Sequence, residues 1–125
     1  VYFQDTSGSI SQKDLERFNS EVKYVQETLE PEKLTLVQFD TKIQYTREFT
    51  EGEQFKDIEM HGGGGTSLEP VKDWIDQHKP TAAIIFSDLE CSPMQKLAYD
   101  IPVIWVAIRN QKAHVPFGKL IHITD

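Results

Sequence analysis

The chain has one cysteine, Cys91, in 125 residues, so no disulfide can close within it, and that usage fits a reducing compartment. No apolar run approaches the ~20 residues of a membrane-spanning helix. There is also no basic cluster or stripe: thirteen Lys and Arg stand against twenty Asp and Glu, for a net charge of −7. Without cations to neutralise phosphates, neither nucleic acid nor an anionic membrane surface is an expected partner, and the cytoplasm is the expected location. Several catalytic signatures are missing as well. The glycine run Gly62–Gly65 is not followed by the lysine of a phosphate-binding GxxxxGK[ST] loop, and no G-x-S-x-G is present. Asp5-Thr6-Ser7 misses the D-[TS]-G of aspartic proteases and occurs once. A Ser/His/Asp set can be assembled from Ser9, His61 and Asp88, but no motif marks it.

What remains is the composition of a globular domain, 38% hydrophobic and 26% charged. A chain of this length buries roughly two-thirds of the surface its unfolded form exposes, enough for one core, so residues 1–125 are expected to form a single domain. Its first strand begins at Val1 without an initiator methionine. The expectation is therefore a piece of a longer protein, the domain lying in its C-terminal part.

The elements follow from periodicity. VYFQ (residues 1–4) reads as a short strand. Ser11 and Asp14 form a capping-box start, and Leu15, Phe18, Val22, Val25 and Leu29 then recur at steps of three and four, an amphipathic helix ended by Pro31. LTLVQF (34–39) and the period-two set Ile43, Tyr45 and Phe49 predict two strands, paired antiparallel through residues 40–42. A short helix is expected around Phe55 and Ile58, and another starts at Thr66 or Ser67, carrying Leu68, Val71, Trp74 and Ile75. AAIIF (82–86) and VIWVAI (103–108) have the continuous apolar character of strands buried on both faces of a parallel sheet. Between them a helix is expected over Ser92–Tyr99, and KLIHIT (119–124) predicts a last edge strand. Helices alternating with apolar strands argue an α/β fold: a doubly wound, mostly parallel, Rossmann-like sheet with helices on both faces and one antiparallel edge strand.

In such sheets ligands bind beyond the carboxyl ends of the strands, where strand order reverses. Two buried strands here run into oxygen-bearing turns: VYFQ into Asp5-Thr6-Ser7-Gly8-Ser9, and AAIIF into Ser87-Asp88. A third such segment, Gly65-Thr66-Ser67, follows the glycine run. Carboxylates and hydroxyls brought together form an all-oxygen site suited to a hard cation such as Mg²⁺, which takes about six ligands at ~2.0–2.1 Å and keeps some as water. Mn²⁺ and Ca²⁺ share that preference.

D-x-S-x-S at Asp5, Ser7 and Ser9, then Thr66, then Asp88 after a hydrophobic strand resembles the metal-ion-dependent adhesion site of the von Willebrand factor A (VWA) domain family. HGGGGTS (61–67), SDLE (87–90), DIPVIWV (100–106) and VPFGKLIHI (115–123) are further similar to the VWA-like domain at the C-terminus of metallopeptidase-like proteins of bacteria and phages. That resemblance covers nearly the whole chain. It implies that Ser7 and Ser9 bind the metal directly, that Thr66 does so in the ligand-engaged form, and that Asp5 and Asp88 act largely through water. It also implies a non-catalytic module whose partner, a protein or a neighbouring domain, supplies an acidic side chain to complete the coordination.

Competing readings exist for each residue. Asp5 to Ser11 alone reads equally as a helix cap. Glu90 reads as solvated and His61 as a surface or capping residue. Cys91 reads as structural although near an expected helix N-terminus, and Trp74 and Trp105 read as core. The rival functions are a metal-assisted phosphoryl hydrolase or transferase, and a structural VWA-like domain without bound metal.

Overall fold

The computed structural model describes residues 1–8, 10–29, 33–50, 62–98, 100–108 and 110–123, with the backbone alone for 21–29, 33, 50 and 123. The helix expected around Phe55 and Ile58, together with Ser9 and His61, lies outside the described residues. Six strands and two helices are described: β1 (Tyr2–Asp5), α1 (Gln12–Leu29), β2 (Lys33–Phe39), β3 (Ile43–Thr50), α2 (Glu69–His78), β4 (Ala83–Ser87), β5 (Val103–Ile108) and β6 (Lys119–Ile123). Among the described residues no helix is long and apolar enough to cross a membrane.

The strands form one sheet in the order β3-β2-β1-β4-β5-β6. Every neighbouring pair is parallel except β2 and β3, which form the expected antiparallel hairpin. The chain thus builds outward from β1 to one side, through α1 to β2, and then returns through α2 to place β4 on the other side. Right-handed crossovers running in opposite directions put their helices on opposite faces. Accordingly Phe18 of α1 packs with Tyr2, Leu36, Phe86 and Val106, and Val71 and Ile75 of α2 pack with Phe3, Val37, Ile85 and Trp105. Tyr2 and Phe3, consecutive in β1, point to opposite faces, as strand geometry requires.

α1 begins where the sequence says it should. Ser11 N donates to Asp14 Oδ2 at 3.0 Å and Asp14 N donates to Ser11 Oγ at 3.2 Å, a reciprocal capping box. The helix is pinned by hydrogen bonds from β1: Tyr2 Oη donates to Phe18 O and Gln4 Nε2 to Asn19 Oδ1. Gln4 in turn accepts from Gln38 Nε2, so these buried amides are paired. The ring of Phe18 lies 4.3 Å from that of Phe86, which stacks on Tyr2 at 4.4 Å.

One expected helix does not form. Residues 92–98 are irregular, and Tyr99 lies outside the described residues. Seven or eight residues give too few hydrogen bonds to repay helix nucleation, and tertiary contacts hold the segment instead. Met94 is buried in the α2-face core, and Ala98 N donates to Asp76 Oδ1 of α2.

Phe18→Ala removes the ring that α1 packs against Phe86 of the sheet. It is expected to cost about 3–5 kcal/mol in chemical denaturation, whereas a loss under about 1 kcal/mol would contradict this packing.

Candidate functional site

Strand order reverses between β1 and β4, and their carboxyl ends lie side by side, with Gln4 level with Phe86. One residue further on, Ser87 Oγ donates to Asp5 Oδ2 at 2.6 Å, which joins the ends of the two strands directly. The other oxygen, Asp5 Oδ1, accepts from Ser7 N at 2.8 Å, a bond that turns the chain sharply after β1. Asp5 is 0% exposed and Asp88 3%. Asp88 is steadied at both its side chain and its backbone: its Oδ1 accepts from Glu90 N at 3.2 Å and its carbonyl from Asn110 Nδ2 at 2.8 Å. Ser87 Oγ also accepts from Leu89 N, so this hydroxyl is fixed as the donor toward Asp5.

The glycine run lies over the first turn. Gly63 N donates to Thr6 O and Gly8 N to Gly64 O, both at 2.8 Å. Gly62 sits at φ +142, and a Cβ there would meet the Thr6 side chain and come within 2.9 Å of its carbonyl oxygen, so only glycine allows this approach. Thr66, half-buried, follows directly, and with Ser67 it borders a cleft of about 310 Å³ between the start of α2 and Ser92–Gln95. The structure therefore gathers Asp5, Ser7, Asp88 and the Thr66 loop at one end of the sheet; Ser9 lies outside the described residues.

The electrostatics of this end are unfavourable for two free carboxylates. Burial pushes the Asp5 carboxyl above its ordinary value; hydrogen bonds from Ser7 and Ser87 work against that shift, and the charge of Asp88 adds to it. Burial likewise pushes the Cys91 thiol up to about 11, with the charges of Asp5 and Asp88 adding to the effect. No helix N-terminus follows Cys91 to lower that value, since residues 92–98 are irregular. Among the described residues no lysine, arginine or histidine bonds to either carboxylate, and no three His, Cys, Asp or Glu side chains cluster as a metal cage.

Other residues fall largely as read. Trp105 is buried, its Nε1 donating to Phe117 O, while Trp74 is half-buried and edge-on to Phe3. Glu90 is exposed. Sequence reasoning passed over Asp40, whose carboxylate accepts from Gly64 N, and Asn110; the signal for Asp40 was its place after β2, making it a third strand end in aspartate.

A family model for a VWA-like domain, DUF2201, matches residues 1–124. The chain belongs to this VWA-like family. A protein of Thermotoga maritima described as uncharacterized is 35% identical to it over 85 residues, which are 67% of this chain and 21% of that protein. The crystal structure of an aerotolerance-related membrane protein from Bacteroides fragilis, carrying multiple mutations to serine, matches with a TM-score of 0.64 at 14% identity. That match covers 85% of this chain and 65% of the other, and at such low identity it speaks for the fold alone. This VWA-like domain therefore spans about a fifth of the Thermotoga relative.

The donors of the VWA-like domain fit a hard divalent cation. They are two buried carboxylates with no cationic neighbour among the described residues, beside serine and threonine hydroxyls, an oxygen set of the kind Mg²⁺ selects. Both oxygens of Asp5 already accept a protein hydrogen bond, which suits it to holding a metal-bound water rather than the metal itself.

The pH dependence follows from Asp5. Its folded pKa lies above the ordinary 3.8, so the folded state holds the proton more tightly than the unfolded chain. Stability from this group is thus fully present below 3.8 and is lost as pH rises through the raised folded value. In metal-free protein Asp5→Asn should raise Tm by a few degrees at neutral pH and flatten this part of the profile. A lower Tm with an unchanged profile would contradict the assignment.

Proposed function

We propose that this VWA-like domain is a divalent-cation-dependent protein-interaction module. Asp5, Ser7, Ser9, Thr66 and Asp88 would hold Mg²⁺, with Mn²⁺ or Ca²⁺ as substitutes, and a carboxylate from a partner protein or neighbouring domain would complete the coordination. The observation that carries this reading is the juxtaposition of Asp5 and Asp88 on adjacent strand ends, both buried, tied together through the 2.6 Å bond from Ser87. Two like charges in a poorly solvated place favour whatever cation can share them, and a bound ion both relieves that repulsion and displays an open position toward solvent. The chemistry the ion supplies is the attraction of an anionic ligand; the chain's own part is to fix the oxygens and, through the half-buried Thr66 loop, to shape the entrance.

The module reading is favoured over a phosphoryl hydrolase or transferase. Developing phosphate charge is usually met by lysine or arginine as well as metal, and among the described residues none bonds to either carboxylate. The resemblance of HGGGGTS, SDLE, DIPVIWV and VPFGKLIHI to segments of metallopeptidase-like proteins supports a role for the domain beside such a catalytic domain in a longer polypeptide.

Isothermal titration of Mn²⁺ into the metal-stripped domain should give binding that Asp5→Ala and Asp88→Ala each weaken at least about tenfold while circular dichroism stays native. Equal heats in the wild type and both variants would end the metal reading. Turnover of simple phosphoesters lost in Asp88→Ala would move the protein to the enzyme class.

A further inference from the structure

β2 ends in a third carboxylate, Asp40, which is 4% exposed and has no place in the set above. Its two oxygens do different work. Oδ1 accepts from Lys42 N at 3.1 Å and Gln44 Nε2 at 2.9 Å, closing the turn into β3. Oδ2 accepts from Gly64 N at 3.2 Å, a residue 24 positions away, and the Asp40 carbonyl accepts from Ser67 N at 2.9 Å. Asp40 thus grips the glycine loop on both sides of Thr66, two residues before it and one after. The loop's other attachments, Gly63 N to Thr6 O and Gly8 N to Gly64 O, also precede Thr66.

A run of four glycines loses more freedom on ordering than any other tetrapeptide, so its resting place depends on such bonds. The bond from Gly64 to a carboxylate is of the charge-assisted kind, stronger than one to a neutral oxygen. We infer that Asp40 is the positioning residue that fixes where the Thr66 hydroxyl sits, and through it how tightly the site takes a hard cation. This inference rests on the metal reading proposed above. It adds a third strand-end carboxylate that touches neither ion nor partner and acts only through the loop. A plain turn-forming aspartate would need the Oδ1 contacts alone; the Oδ2 contact to Gly64 has no use in the turn.

The separation by oxygen makes the test selective. Asp40→Asn can keep an acceptor at Oδ1 for the turn while presenting an amide N–H to the Gly64 N–H, replacing attraction by repulsion. Gly64→Ala attacks the same bond from the loop side, since a Cβ there would lie 3.1 Å from Asp40 Oδ2 at a backbone conformation alanine accepts, and it leaves the turn intact. Each variant of the domain is titrated with Mn²⁺ in excess acetate, which stands in for the partner carboxylate and sets the ligand-engaged form, and the waters on bound Tb³⁺ are counted under the same condition from luminescence lifetimes in H₂O and D₂O.

The expected result is an affinity about 10–100-fold weaker for Asp40→Asn and Gly64→Ala, with one more water on Tb³⁺ than in the wild type, as in Thr66→Ala. Adding Asp40→Asn to Thr66→Ala should cost nothing further, because the lesion acts through a hydroxyl already gone. If Asp5→Ala abolishes binding while a folded Asp40→Asn binds as the wild type does, the metal reading stands and this inference falls. Additive losses in the double variant overturn it too. Should Asp40→Asn fail to fold, wild-type affinity and hydration in Gly64→Ala overturn it equally, and a wild type that binds no Mn²⁺ removes both readings together.

Discussion

The hydrogen bond from Ser87 to Asp5 is the point at which fold and site become one problem. It exists because β1 and β4 are neighbours, and they are neighbours because the chain fills the sheet first on one side of β1 and then on the other. The same reversal sends α1 and α2 to opposite faces, so neither helix roofs the carboxyl ends of the two central strands. What closes that end instead is backbone: the turn after β1, the glycine loop and the segment after Asp88. The glycine loop is held by backbone hydrogen bonds, whereas the segments beside it also bury Ile10 and Met94 in the two cores.

Burying Asp5 there is costly, and the sizes of the opposing effects indicate the outcome. An ionised carboxylate taken out of water costs several kcal/mol even after the surroundings relax. Hydrogen bonds to a charged group return about 1.5–3 kcal/mol each, and Asp5 receives three, from Ser7 N, the Ser7 side chain and Ser87 Oγ. The two sides nearly cancel, and the raised pKa of Asp5 marks burial and the nearby Asp88 as the stronger. A site left slightly short of positive charge is poised to take up a proton or a cation. Cys91 reports the same field from outside the pair, its thiol held protonated by burial and by the charges of Asp5 and Asp88.

Much of this was legible in the sequence because it is local. Strands such as VIWVAI declare themselves by unbroken apolar character, the α1 start by its capping box, and the strand-end aspartates by what precedes them. The segment 92–98 was misread as helix because its order is borrowed: Met94 is buried under α2 and the Ala98 amide is taken by Asp76, neither of which periodicity can reveal. Asp40 was passed over for the opposite reason. An aspartate at a turn has a sufficient local explanation, and its bonds to Lys42 and Gln44 satisfy it; the bond to Gly64 belongs to the folded chain alone.

The glycine run looks in sequence like slack, yet it is fastened to Thr6, to Gly8 and to Asp40. The two properties are compatible because they serve different ends. Absence of side chains lets the backbone come close enough for its own amides and carbonyls to be the fasteners, as the contact of Gly62 with Thr6 requires. Bonds of this kind, each modest and partly open to water, can be exchanged one at a time without emptying a hydrophobic pocket. A loop held in this way can carry Thr66 at a defined position and still shift when the ligands around it change, which is what a threonine that engages only in one state of a binding site demands.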